Sequence, residues 1–280
     1  MTAIVLLTGA TGFVGRQVLR ALFEKDVRVR LVTRIKNFSQ IEHYGSFEKI
    51  IYTPDLFAEN IDWWADACQG VDTVIHAAWY AEPGKYLDSP LNLECLMGTL
   101  LLSKGATQAG VRRFIGIGTC FEYELSGGIL SIQTPLNPMS PYGAAKAAAY
   151  MALKQYLLTQ AVEFAWCRLF YLFGEGEDER RLVPYIRSQL IAGKPVELTS
   201  GDQIRDFLDV REAGSMIVDI ALGHELGPVN ICSGLPVTVR QLAMQLAEEY
   251  QRSDLLRFGV RSNNPLDPPC VVGINQKVLP

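Results

Sequence analysis

Tyr142 and Lys146 stand four residues apart at the start of an alanine-rich segment. On a helix that spacing stacks both side chains on one face. An ammonium beside a phenol stabilises the phenolate and draws its pKa from about 10 toward neutrality. Such a phenol can give or take a proton while a hydride moves at the adjacent carbon. Upstream, the apolar run Phe114–Gly118 ends in Thr119, whose hydroxyl at a strand edge can bond a substrate oxygen. A second constellation, Thr8-Gly9-Ala10-Thr11-Gly12-Phe13-Val14-Gly15, sets Gly9, Gly12 and Gly15 at Gly-x-x-Gly-x-x-Gly spacing. Glycines let the backbone turn tightly against a pyrophosphate, and the helix that follows offers free N–H groups and a positive dipole end. A glycine turn without a ligand is the plain alternative. The preceding strand and the helix that opens here favour a dinucleotide site.

The end of the second strand bears on which dinucleotide. NAD sites usually carry an acid there and NADP sites an arginine. Here the residues are Val32-Thr33-Arg34-Ile35-Lys36. Arg34, and Arg16 just after the glycines, could clamp a 2′-phosphate or could be solvated surface arginines. The reading favours NADP(H), with NAD(H) as the alternative. Asp55 could cap a turn or bond the adenine amine.

These groups need a scaffold. Short apolar strands are expected at 4–7, 27–32, 50–52, 71–76, 114–118 and 162–172, and helices at 13–25, 91–109 and 141–160. That alternation predicts an α/β fold, a Rossmann-type doubly wound parallel sheet with helices on both faces. The second half is punctuated by Gly and Pro, with helices expected at 180–192, 210–222 and 238–250. It reads as a smaller C-terminal substrate-binding lobe. The division is 1–170 for the dinucleotide-binding domain and 171–280 for the lobe, with later segments returning to the sheet. The chain has 280 residues, 49% hydrophobic and 20% charged, enough for a sizeable core and unlike a disordered chain. A formal net charge of −4 gives no overall reason to bind nucleic acid or an anionic membrane. Six scattered cysteines without a CxxC pair fit a reduced, cytoplasmic protein with no structural metal. No apolar run approaches the ~18–20 residues that span a bilayer, and no signal peptide is read at the N-terminus.

Together the glycine turn, Thr119 and the Tyr142/Lys146 pair resemble the short-chain dehydrogenase/reductase superfamily, in its extended, nucleotide-sugar-modifying branch. His76-Ala77-Ala78, Asn92, Arg168-Leu169-Phe170 to Gly174, Arg205-Asp206-Phe207 and Asn230 to Gly234 extend the match over nearly the whole chain. The resemblance implies Tyr142 as acid/base, Lys146 on the nicotinamide ribose and Thr119 orienting the sugar. It implies a cofactor site of Gly9, Thr11, Gly12, Phe13, Val14, Gly15, Arg16, Arg34, Asp55, Leu56, Ala77, Ala78 and Phe170 around that pair. The substrate would meet Thr119, Cys120, Phe121, Tyr171, Val183 and Arg205, with Arg205 on its pyrophosphate or else ion-paired to Asp206 or Asp209. Tyr171 stands where such relatives often have Asn.

Departures from the family patterns narrow the reaction. Dehydratases of this branch resemble Thr-Asp-Glu in the loop after the fifth strand, whereas this chain reads Thr119-Cys120-Phe121. Enzymes that epimerise beside a ketone resemble a loop with Cys two positions after the hydroxyl residue, where Phe121 stands; Cys120 reads as an apolar filler. His76 reads as a packed strand-end residue. The run Gly118-Thr119-Cys120-Phe121-Glu122-Tyr123 resembles ketoreductases of nucleotide-linked 4-keto-6-deoxyhexoses. The expected function is NADPH-dependent 4-keto reduction; the rivals are a 4-epimerase with tightly bound NAD and a non-catalytic NAD(P) sensor. The resemblance also implies a homodimer formed by the helices at 91–109 and 141–160. Relatives usually carry a terminal helix beyond this chain's last residues, Val278-Leu279-Pro280, implying a trimmed lobe or a shortened chain.

Overall fold

Strands that are apolar on both faces can sit only between two helical layers, and that decides the architecture. The structure, a computed structural model, describes residues 3–265 and 267–275; the C-terminal residues Val278-Leu279-Pro280 lie outside it. In chain order the elements are β1 (Ile4–Thr8), α1 (Phe13–Glu24), β2 (Arg28–Thr33), β3 (Lys49–Tyr52), α2 (Ile61–Ala67), β4 (Thr73–His76), α3 (Leu91–Gln108), β5 (Arg113–Thr119), β6 (Ile129–Leu130), α4 (Pro141–Thr159), β7 (Glu163–Leu169), β8 (Tyr171–Phe173), α5 (Leu182–Ile191), β9 (Val196–Glu197), β10 (Ile204–Asp209), α6 (Val210–Leu222), β11 (Gly227–Ile231), β12 (Pro236–Thr238), α7 (Val239–Glu249), β13 (Leu256–Arg257) and β14 (Cys270–Gly273).

Seven strands form one parallel sheet in the order β11-β7-β5-β4-β1-β2-β3. The chain winds outward from β1 through β2 to β3, then crosses back to β4 on the other side of β1. That reversal opens a crevice at the carboxyl ends of β1 and β4, the place where open α/β sheets bind ligands. One sheet face is covered by α1 and α6, with Leu19, Leu22, Ile217 and Val218 fully buried against Leu7 and Leu31. The other is covered by α2, α3 and α4, where Trp64, Leu102, Leu153 and Leu157 pack on Leu6, Phe114 and Trp166. Burying such a side chain contributes roughly 1.5–3 kcal/mol, so the two layers fix the crevice from both sides.

The lobe has its own sheet, in the order β12-β10-β14-β6, with β8 pairing β10. Its core joins α5 and α7 through Ile186, Leu190, Ala243 and Leu246. A small cluster of Cys120, Tyr123, Leu130, Phe170, Cys232 and Val271 links that sheet to the loop after β5.

Two local expectations need correction, and one helix was not expected. The strand expected at 162–172 is two strands: after Leu169 the chain leaves the large sheet, and Tyr171–Phe173 pairs β10 in the lobe. The strand expected at 71–76 starts at Thr73, because Val71 N–H closes a turn on the Cys68 carbonyl. Helix α2 carries no sequence periodicity in its seven residues, and is held instead by an Asn60 cap on Trp63 N–H and a fully buried Trp64.

Candidate active site

The glycine turn lies at the reversal between β1 and β4. Gly9 has φ +76°, and a Cβ there would come within 2.5 Å of Ala78 N. A Cβ on Gly15 would run into the Gly9 carbonyl, so α1 can approach β1 only with glycine at this position. No side chain caps α1, whose N-cap is Gly12, so its first-turn N–H groups stay open for an anion. The shape fits a dinucleotide pyrophosphate: backbone lies where side chains would fill the cradle.

Beside the turn is a cavity of about 480 Å³, lined by Thr11, Gly12, Arg34, Asp55, Leu56, Ala77 and Ala78 among others. Arg34 is exposed at its rim, with Nη2 3.1 Å from the Asn37 side-chain oxygen once that amide faces it. Arg16 does not join it: its Nη2 is 3.4 Å from the Thr11 carbonyl, and the guanidinium lies beside Gly176. Asp55 caps its own turn, Oδ1 accepting from Phe57 N–H at 3.0 Å.

A second cavity, of about 620 Å³, contains Thr119, Tyr142 and Lys146 together with Phe13, Val14 and Phe170. Ser140 accepts from Gly143 N–H at 3.2 Å and Pro141 starts α4, so Tyr142 and Lys146 occupy its first two turns. Burial pushes the Tyr142 phenol well above its ordinary pKa, Tyr86, Glu122 and Cys120 add to the rise, and the Thr119 side chain only partly offsets it. The depression expected from Lys146 is therefore absent from the protein's own field. The Lys146 ammonium instead donates to the Ile117 carbonyl at 2.6 Å, under the face of Trp79. Burial draws Lys146 down to about 7, against the pull of Glu122.

Behind Thr119 is a sealed polar wall. Glu122 is completely buried and accepts from Thr119 N–H (2.8 Å), Trp166 Nε1 (2.9 Å) and Arg168 Nε (2.7 Å). Arg168 also donates to the Tyr123 hydroxyl, which donates to Asn230 on β11 at 2.7 Å. The wall thus ties the Thr119 loop to three strands.

Other expected residues fall into place around it. His76 is held between the Thr8 and Thr99 hydroxyls, at 2.8 and 2.9 Å, and burial lowers it to about 3, so it is neutral. Burial pushes the Cys120 thiol up to about 12. Phe121, Tyr171 and Val183 line the second cavity with Arg205. Arg205 pairs with neither Asp206 nor Asp209: it bonds Asp267 at 2.7 Å, while Asp206 accepts from Ser233 and Gly234 and Asp209 pairs with Arg211. Sequence reasoning missed Trp79, Tyr86, Glu177 and Arg181, all of which line this cavity. Burial raises Glu177 to about 6. Trp79 directly follows Ala77-Ala78, and that position was its only signal.

The sequence model of the NAD dependent epimerase/dehydratase family matches residues 5–232. Among curated proteins, the chain is 24% identical over 271 residues to dTDP-6-deoxy-L-talose 4-dehydrogenase (NAD(+)) of Aggregatibacter actinomycetemcomitans, covering 96% of this chain and 98% of that one. It is 24% identical over 255 residues to a dTDP-glucose 4,6-dehydratase of Streptomyces niveus, covering 86% of this chain and 76% of that one. Among solved structures, UDP-N-acetylglucosamine 4-epimerase from Methanobrevibacter ruminantium superposes with a TM-score of 0.88 at 22% identity, over 99% of this chain and 91% of that one. Sheet order, glycine cradle and family match agree: the chain belongs to the NAD dependent epimerase/dehydratase family.

Proposed function

We propose that the protein reduces the 4-keto group of a nucleotide-linked 4-keto-6-deoxyhexose to the 4-hydroxy sugar, with NADPH as reductant. The observation that carries this is the state of the loop after β5. Of its two carboxylates, Glu122 is sealed in the wall by three donors and Glu124 is turned away from the second cavity onto Asn137 and Ser126, while its thiol, Cys120, is buried and pushed up to about 12. Dehydration needs an acid and a base in that loop, whereas ketone reduction needs one proton donor. Tyr142 meets that need.

Thr119 would hold the ketone oxygen and Tyr142 would deliver its proton. Raised by burial, the phenol stays protonated over the working pH range and is a donor in the ground state. Lys146, next to it, would hold the nicotinamide ribose. The Gly9–Gly15 turn, Ala77, Ala78 and Phe170 would hold the rest of the cofactor, with Arg34 toward the 2′-phosphate. NADPH, when bound, supplies the hydride. Phe121, Tyr171 and Val183 would flank the sugar nucleotide, and Arg205 would meet its pyrophosphate.

The name of the Aggregatibacter relative describes redox chemistry at C4 of a 6-deoxysugar nucleotide and supports this reading. That name specifies NAD(+), so the NADPH assignment rests on Arg34. A 4-epimerase that keeps its NAD is the second reading, favoured by the fold match to a 4-epimerase. Tyr142→Phe discriminates catalysis from mere binding. Turnover should fall at least about 100-fold while cofactor affinity stays within about twofold; unimpaired turnover would remove Tyr142 from the mechanism.

A homodimer is part of the proposal. Leu93 and Met97 on α3, and Met151 and Leu158 on α4, are 62%, 57%, 54% and 73% exposed on two helices that pack together. A second copy would cover them. Sedimentation equilibrium should give twice the chain mass, and charges at Met97 and Leu158 should halve it.

A further inference from the structure

Trp79 lies where the two cavities meet and lines both. Its indole face covers the Lys146 ammonium, with Nζ 3.7 Å from the ring centroid. Its edge meets the Tyr142 ring at 6.5 Å and 79°. The indole is not free to swing: Nε1 donates to Asn92 Oδ1 at 2.8 Å. Asn92 is almost fully buried and is itself pinned, donating to the Tyr86 and Ser89 carbonyls at 2.7 and 2.9 Å. One hydrogen bond to a side chain of α3, itself pinned twice to the loop before that helix, thus fixes an aromatic face above the one lysine of the catalytic pair.

The chemistry of that placement is specific. An indole face carries negative quadrupolar density, attracts a cation, and does so more strongly where water is excluded. Lys146 is 4% exposed, and its ammonium gives one N–H to the Ile117 carbonyl. We infer that Trp79 is a positioning residue: its face replaces the lost hydration of the Lys146 ammonium and holds that charge beside Tyr142.

The sign of the consequence follows from the neighbours of Nζ. Glu122, from the loop after β5, and Cys95, from α3, pull its pKa up; burial pulls it down to about 7. His76, from β4, is neutral with a pKa of about 3 and adds no charge, and Tyr142, on the same helix, keeps its proton. A π face over the ammonium favours the charged form. Its removal without rehydration must therefore lower the pH at which Lys146 loses its proton.

Trp79→Leu keeps apolar bulk and removes the π face, whereas Trp79→Phe keeps a π face. The first readout is tryptophan emission of the full-length protein titrated from about pH 5 to 10. Wild type should show a step near pH 7 as the ammonium under Trp79 is discharged; Trp79→Phe should lose most of its amplitude, Trp166 being the more distant ring at 5.9 Å from Nζ, and Lys146→Met should lose it entirely. A flat wild-type titration, or a step of undiminished amplitude in Trp79→Phe, overturns the inference. The second readout is the alkaline limb of kcat. In Trp79→Leu it should move about one pH unit toward acid, and Trp79→Phe should restore most of that shift. An unmoved limb in Trp79→Leu overturns it equally. The kinetic readout rests on the assignment of Lys146 to the catalytic pair; the emission readout does not. An error in the proposed substrate would silence every kinetic trace and leave the emission step in place.

Discussion

Four arginines are buried among the described residues, and two of them, Arg168 and Arg205, are buried differently. Arg168, on β7, is 1% exposed and pairs with a carboxylate, Glu122, that is wholly buried. It is also stacked between Tyr123 and Tyr150, 4.5 Å from each ring. Arg205, on β10, is 3% exposed, but its partner Asp267 keeps 34% side-chain exposure and comes from the loop before β14. The first pair has no solvent route and no reason to open. The second can exchange its carboxylate for another anion while the released Asp267 turns to water. Burial of a guanidinium alone therefore does not mark a functional site, and neither does an exposed partner, since the wholly buried Arg113 pairs with the 37%-exposed Glu163 at the far end of β5; Arg205 and Asp267 differ in that both line the second cavity.

The comparison can be broken by removing each arginine in turn. Arg168→Met leaves Glu122 as an unpaired buried carboxylate and should cost about 3–5 kcal/mol in denaturant unfolding. The double change Glu122→Leu with Arg168→Met should recover much of that stability but little activity, because Thr119 N–H loses its acceptor. Full activity in the double variant would show that the wall does not position Thr119. Arg205→Met should cost no more than about 1 kcal/mol, since Asp267 becomes solvated. It should instead raise KM for the sugar nucleotide about tenfold with kcat little changed. A large stability loss there would make Arg205 a scaffold residue like Arg168. Arg34→Glu, on the exposed rim, should leave stability unchanged and lower kcat/KM for NADPH about ten- to hundredfold relative to NADH. An unaltered ratio would return Arg34 to the solvated surface.

What could be read from the residues followed where the physics is local. The glycine turn, β1 and α1 are contiguous, so strand, turn and helix announce the cradle together. Helix α6 spans Val210–Leu222, matching the helix expected at 210–222; the structure buries Ile217, Val218, Ile220 and Ala221 and caps the helix locally, Asp209 accepting from Arg211 N–H. The breakdowns are long-range. Nothing in Leu169-Phe170-Tyr171 says that the chain changes sheets there; the pairing partner of Tyr171 is Phe207, far along the chain. Arg205 was set against Asp206 and Asp209 because they were near in sequence, and its partner is Asp267. Glu122 was noticed as part of a loop pattern, but its burial against Trp166 and Arg168 depends on how β5 and β7 pair. The phenol pKa was argued from Lys146 alone, and burial outweighs that neighbour.

Net reduction at C4 can be read directly in one assay. The protein is mixed with NADPH and enzymatically generated dTDP-4-keto-6-deoxyglucose, reduced-nicotinamide absorbance is followed, and the sugar product is analysed. A 4-ketoreductase should consume NADPH in a one-to-one ratio with a new 4-hydroxy sugar. A changed sugar with no NADPH consumed would contradict net reduction and make the enzyme an epimerase.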